Sequence, residues 1–258
     1  MRPFYQTREQ KTDLRLPSQN PFDFPVKQVV TYPCLQGREK PAREGWAISL
    51  KGEKGTSQMP IFRNSVNQTK FNKKAQLPYE LRLKDFEMAM QDVYDFFYDV
   101  NSHLAKRGLQ RLDDMLRPAI MSGVLSDMLA ASLAKHSRVL TENRYFNGHP
   151  DLVLQGIYPG NAVKAGEEGV EIKTTRKTGG AVDPHGARNQ WMCVFVYDVD
   201  TEQEPAQDRK PMTINEVYLG QVTVEDFRRN PRSELGTRTA TLHRSGIKKL
   251  REIWVYKF

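Results

Sequence analysis

The sequence predicts a mixed α/β (α+β) fold, a mixed central β-sheet flanked by helices, with a basic N-terminal extension in front of it. Three observations carry this. Apolar residues recur at helical spacing in two long stretches between residues 86 and 136. Short alternating or wholly apolar runs bounded by Gly, Pro and Asn follow them. The positive charge is uneven: residues 1–78 hold 14 Lys/Arg against 6 Asp/Glu, whereas residues 79–258 hold 25 of each.

The elements follow in order. Residues 1–78 are rich in Pro, Gln, Asn and Lys, which predicts an irregular basic arm or small subdomain carrying short strands such as Trp46-Ala47-Ile48-Ser49-Leu50. Asp85 then begins a helix whose stripe is Phe86, Met90, Val93, Phe97, Val100 and Leu104, and Gly108 ends it. Residues 110–116 continue as a short helix. Pro118 starts the next, with Ile120, Met121, Val124, Leu125, Met128, Leu129 and Leu133 on one face as far as His136. Strands are expected at about 138–146, 151–158, 169–175 and 191–199. The last, Trp191 to Tyr197, is nearly all apolar and suits a buried central strand. Glu216–Val222 forms a further strand, Thr223 with Asp226 opens a short helix, Ser245 begins a basic helical turn, and Ile253–Tyr256 closes the sheet.

Composition narrows the class. With 258 residues, 38% of them hydrophobic, and a mean hydropathy of −0.65, the chain can bury a sizeable core. No apolar run approaches a membrane span, and Met1-Arg2-Pro3-Phe4-Tyr5-Gln6 lacks the form of a signal peptide. Cys34 and Cys193 are far apart, which suits buried thiols and a cytoplasmic protein better than a disulfide or a cysteine metal site. No Gly-rich nucleotide-binding motif is present, so no motor is fused to the chain.

The chemistry concentrates in His149-Pro150-Asp151 and Glu171-Ile172-Lys173. Asp151 opens one apolar strand. Glu171 and Lys173 share one face of the next, about 6.6 Å apart along it, while Val170 and Ile172 turn to the core. Two carboxylates and an ammonium at one point suit metal-assisted phosphodiester cleavage, with Mg2+ as the hard cation that oxygen ligands prefer. An acid two residues before a lysine also occurs at Glu9–Lys11 and Asp208–Lys210, but both lie in polar segments. The same residues also suit an ordinary hairpin with a cross-strand Glu–Lys pair. Glu142, Asp127 and His149 are nearby candidates: Glu142 for the metal, Asp127 as a further metal ligand or, better, a plain surface carboxylate, and His149 as a phosphate contact or, better, a packing or turn residue.

Pro150, Asp151, Glu171, Ile172 and Lys173 resemble the Pro-Asp…(Asp/Glu)-X-Lys signature of the PD-(D/E)XK nuclease superfamily, which includes the type II restriction endonucleases. The resemblance covers residues 118–199 well, the C-terminal part loosely and the first 78 residues not at all. It implies a restriction-endonuclease-like core over residues 79–258. It also implies that Asp151, Glu171 and the Ile172 carbonyl bind Mg2+, and that Lys173 orients or deprotonates the attacking water. One departure matters: Gly179, Gly180, Pro184 and Gly186 leave no room for the family's second core helix between residues 176 and 190.

Double-stranded DNA is the expected partner. The loop after the motif carries Arg176, Lys177, His185, Arg188, Asn189 and Gln190, residue types that pair with base edges in the major groove or contact phosphates. Lys70, Lys73 and Lys74 stand for the basic region, which suits phosphate contact or plain solubility. A second cluster, Arg228, Arg229, Arg232, Arg238, His243 and Arg244, suits phosphates or solvent. One motif set in one chain implies a homodimer on a two-fold target. The expected activity is sequence-specific DNA cleavage. A repair, recombination or phage nuclease of the same fold, or a non-catalytic DNA-binding protein, remains an alternative.

Overall fold

A computed structural model describes residues 61–177, 182, 186–229 and 240–258. Expectations placed on residues 1–60, Cys34, His185, Arg232 and Arg238 lie outside the described residues. The architecture is mixed α/β, with a six-stranded, mostly antiparallel sheet flanked by helices.

Helix α1 (Leu83–Lys106) buries Phe86, Met90, Val93 and Phe97, the expected stripe. It starts before Asp85 because that carboxylate acts from inside the first turn, accepting the Arg82 backbone N–H at 2.8 Å. A single turn, α2 (Leu112–Met115), follows. Helix α3 (Pro118–His136) opens on its proline and buries Met121, Leu125, Leu129 and Leu133. Its contact face is narrower than the apolar pattern, since Ile120 is exposed. Asp92 ties α1 to α3, accepting from Ser132 Oγ at 2.7 Å and Lys135 Nζ at 2.9 Å, with His136 Nε2 also at 2.9 Å.

The strands are β1 (Leu140–Glu142), β2 (Leu152–Leu154), β3 (Gly169–Thr175), β4 (Gln190–Asp198), β5 (Thr213–Val222), β6 (Phe227–Arg229), β7 (Ala240–Leu242) and β8 (Trp254–Lys257). In the sheet the order is β1-β2-β3-β4-β5-β8, and only the β3–β4 pair is parallel. β1 and β2 are far shorter than their apolar runs. Where they meet the turn, the Asn143 backbone N–H still donates to Asp151 O, while its side-chain amide donates to Pro150 O and Val163 O and accepts from Val163 N–H, tying the strand ends to the following loop. The expected helix after Thr223 is a single 3-10 turn, Val224–Asp226, running into the β6–β7 pair. Helix α4 (Arg244–Glu252) precedes β8.

Period-2 alternation sorts the sheet faces. Val170, Ile172, Cys193, Phe195 and Leu219 pack under α1 and α3. Met192, Val194, Tyr218 and Val222 pack under Phe227, Leu242 and Leu250 on the other side. Residues 61–77, read in the sequence as part of the basic arm, are packed on this domain. Phe71 is buried 4.9 Å from the Tyr256 ring, Asn72 N–H donates to Val255 O at 2.9 Å, and Asn64 reaches Met212 O at 2.8 Å. Among the described residues, no helix is long and apolar enough to cross a membrane.

Candidate functional site

Asp151 stands just before β2, and Leu152 pairs with Val170 across β2–β3. That register brings Asp151 alongside Glu171 and Lys173 on the sheet face opposite Ile172. The Asp151 side chain is fixed by the Ile172 N–H, which donates to Oδ2 at 2.7 Å. A strand residue's N–H and C=O point to one edge, so the Ile172 carbonyl faces Asp151 as well.

Glu171 is fully buried, an expensive place for a carboxylate without partners. Lys173 Nζ lies 2.7 Å from its Oε1 and 3.8 Å from Asp151 Oδ2, and His149 Nδ1 lies 3.2 Å from both Glu171 oxygens. One oxygen or nitrogen from each of His149, Asp151 and Glu171 falls within 4.8 Å of the others, so the group can hold a metal ion. His149 thus joins the site, although the sequence suited a packing or turn role. Its position immediately before Pro150-Asp151 was the available signal.

The electrostatics divide the two acids. Burial raises the Asp151 carboxyl and the Glu171 charge adds to it, so it is pushed up to about 6 against the opposing Lys173 charge and Ile172 N–H. Burial acts on Glu171 in the same direction, but the His149 hydrogen bond and the Lys173 charge outweigh it and hold that carboxyl low. Burial also works against the Lys173 ammonium, and the charges of Glu171 and Asp151 overcome it. The net effect is to raise the Lys173 ammonium above the ordinary lysine range.

The group opens on a cleft of about 1030 Å³. Its walls include Ser126 and Asp127 from α3, His149, Lys164, Lys173 and Arg188. Asp127 is exposed on this wall but does not belong to the ligand group. Glu142 does not join it either. It is exposed and pairs with Leu152, so pleating turns it to the face opposite Glu171. This corrects the expectation that it could add a metal ligand.

The expected base-reading residues do not gather in one loop. Among the described ones, Arg188 is the one that lines the cleft. Arg176 leaves the far end of β3, where its guanidinium donates to Val199 O at 2.7 Å beside a separate cavity of about 710 Å³. Lys177 is exposed beyond it. Asn189 accepts the Val224 N–H at 2.9 Å, and Gln190 is buried in β4 rather than free in a loop. Lys70, Lys73 and Lys74 are exposed near the β8 edge, three strand spacings or roughly 14 Å from β3.

No family model matches this chain, and neither a curated protein nor a solved structure matches it.

Proposed function

We propose that this chain is a Mg2+-dependent endonuclease that hydrolyses phosphodiester bonds in double-stranded DNA, with a restriction-endonuclease-like core of the PD-(D/E)XK kind. The observation that carries the reading is the convergence of Asp151, Glu171 and Lys173, two acids and a fixed ammonium, beside one open cleft that Asp151 and Lys173 line and behind which Glu171 is buried. The order α3, antiparallel β1-β2-β3 and then β4 parallel to β3 is compatible with that core.

The donor set fits a hard divalent cation. Asp151 and Glu171 offer carboxylate oxygens and Ile172 a carbonyl facing the same edge, the oxygen-rich set Mg2+ takes with several retained waters. Bound there, the ion supplies positive charge to the phosphoryl oxygens and acidifies water. The chain's own residues do the rest. His149 and Lys173 hold Glu171 in place, the Ile172 N–H holds Asp151, and Lys173 donates a hydrogen bond that orients a water or phosphate oxygen entering the cleft.

Incubating the purified protein with plasmid and linear phage DNA plus Mg2+ tests the reading on a gel. Discrete bands support a site-specific enzyme, and a smear supports a nuclease without strict specificity. Intact DNA under all metal conditions overturns the activity and leaves a DNA-binding protein.

A further inference from the structure

Among the described residues, a buried donor in the cleft wall has no partner. Arg188 is part-buried, and its Nη1 is shielded from solvent without any hydrogen-bond acceptor. A guanidinium is charged at every physiological pH and carries only donors. Leaving one of its N–H groups buried and unpaired forfeits its hydration, the more so for a charged group, so such groups are nearly always satisfied.

Arg111 shows how this fold treats an arginine it uses structurally. Its Nε is buried and unpartnered too, but its terminal nitrogens are spent on Arg209 O, Lys210 O and the buried Asp113 carboxylate, so its charge is paired. Among the described residues, Arg188 has no carboxylate within ion-pair range. It nonetheless shares the cleft with Asp151 and Lys173, close enough for its charge to oppose the Lys173 proton. A cation with no ion-pair partner among the described residues, on a side chain that lines an open cleft, fits an anion that arrives from outside. The sequence alone made Arg188 one of several base-reading candidates. Its place in the fold is instead on the cleft that Asp151 and Lys173 also line.

We propose that Arg188 is an anion seat, whose guanidinium takes a non-bridging oxygen of a phosphate group presented to Asp151, Glu171 and Lys173. That the phosphate belongs to DNA rests on the nuclease reading above. The seat itself does not. The planar fork suits phosphate better than a lysine would, because two parallel N–H groups can meet two oxygens.

Two measurements test this with wild type, Arg188→Met, Arg188→Lys and Asp151→Ala, each checked for native fold by circular dichroism. The first is melting of the metal-free protein with inorganic phosphate at matched ionic strength. Wild type should gain roughly 2–4 °C at phosphate concentrations well above its dissociation constant, Arg188→Met nothing, and Arg188→Lys an intermediate amount. An equal gain in wild type and Arg188→Met, or none in wild type, overturns the seat. The second is the cleavage rate of phage DNA in Mg2+ at saturating enzyme. Arg188→Met should be slower by roughly 100-fold or more, the scale of losing one preorganised oxyanion donor, with partial recovery in Arg188→Lys. Wild-type speed in Arg188→Met, with Asp151→Ala inactive, refutes the seat while sparing the nuclease. An Arg188-dependent phosphate shift with no cleavage by wild type upholds the seat and refutes the nuclease.

Discussion

Replacing Asp151 with Asn should stabilise the metal-free protein while removing a carboxylate from the candidate metal site. Asp151 sits beside a fully buried like charge, and burial plus that repulsion push its carboxyl up to about 6 from an ordinary 3.8. At about 1.36 kcal/mol per pK unit, the ionised side chain costs the folded state at most about 3 kcal/mol near neutral pH. The side chain is 31% exposed, so solvent screening reduces this to about 1–2 kcal/mol. Asn removes the charge and keeps an oxygen for the Ile172 N–H.

The sign follows from linkage. An acid whose folded value is raised costs nothing below about pH 4, where it is protonated folded and unfolded, and costs most above about pH 6. In chelator near neutral pH, Asp151→Asn should therefore melt roughly 3–6 °C above wild type, and the gap should close near pH 4. Added Mg2+ should raise the wild-type melting temperature and leave the variant unmoved. A variant that melts at or below wild type in chelator, or by the same margin at both pH values, refutes the electrostatic account.

Further outcomes can be checked separately. Asp151→Ala, Glu171→Ala and Lys173→Ala should each slow DNA cleavage in Mg2+ by roughly 100-fold or more while retaining DNA binding in Ca2+; full activity in any one removes it from the site. Asp92 is held down to about 2, the hydrogen bonds from Ser132, Lys135 and His136 outweighing burial, so its share of stability is present above about pH 4 and lost as pH falls toward 2. Asp92→Ala should therefore cost about 1 kcal/mol near neutral pH and much less near pH 2 in chemical denaturation, and a cost independent of pH contradicts that. Gly169 has a φ of +147° and a Cβ there would lie 1.9 Å from Leu152 O, so Gly169→Ala should lose at least about 2 kcal/mol and loosen the β2–β3 register; wild-type melting sinks the argument. Neutralising Lys70, Lys73 and Lys74 together should leave the saturated cleavage rate unchanged, because they lie by the opposite sheet edge. A slower saturated rate would bring them to the site.

What the sequence alone determined is what local periodicity encodes. The Phe86–Phe97 stripe defines α1, Pro118 defines the start of α3, and the alternation at Gly169–Thr175 puts Glu171 and Lys173 on one face with Ile172 beneath. The mixed, helix-flanked sheet follows from that order of elements. Tertiary structure decided everything that depends on which chain segment stands next to which. The turn between β1 and β2 is tied down by Asn143, whose side chain takes partners from residues 150 and 163, the latter a contact no window of neighbouring residues contains. Glu142 is lost to the site because pairing with Leu152 commits it to the other face, and His149 gains a place because β2 brings it to a carboxylate 22 positions away. The basic residues after the motif look alike in sequence, yet the fold sends Arg176 to one end of the sheet and Arg188 into the cleft. The physical reason is range: side-chain period is a property of the backbone, whereas burial, charge coupling and an unpaired donor arise only when distant segments exclude water from one another.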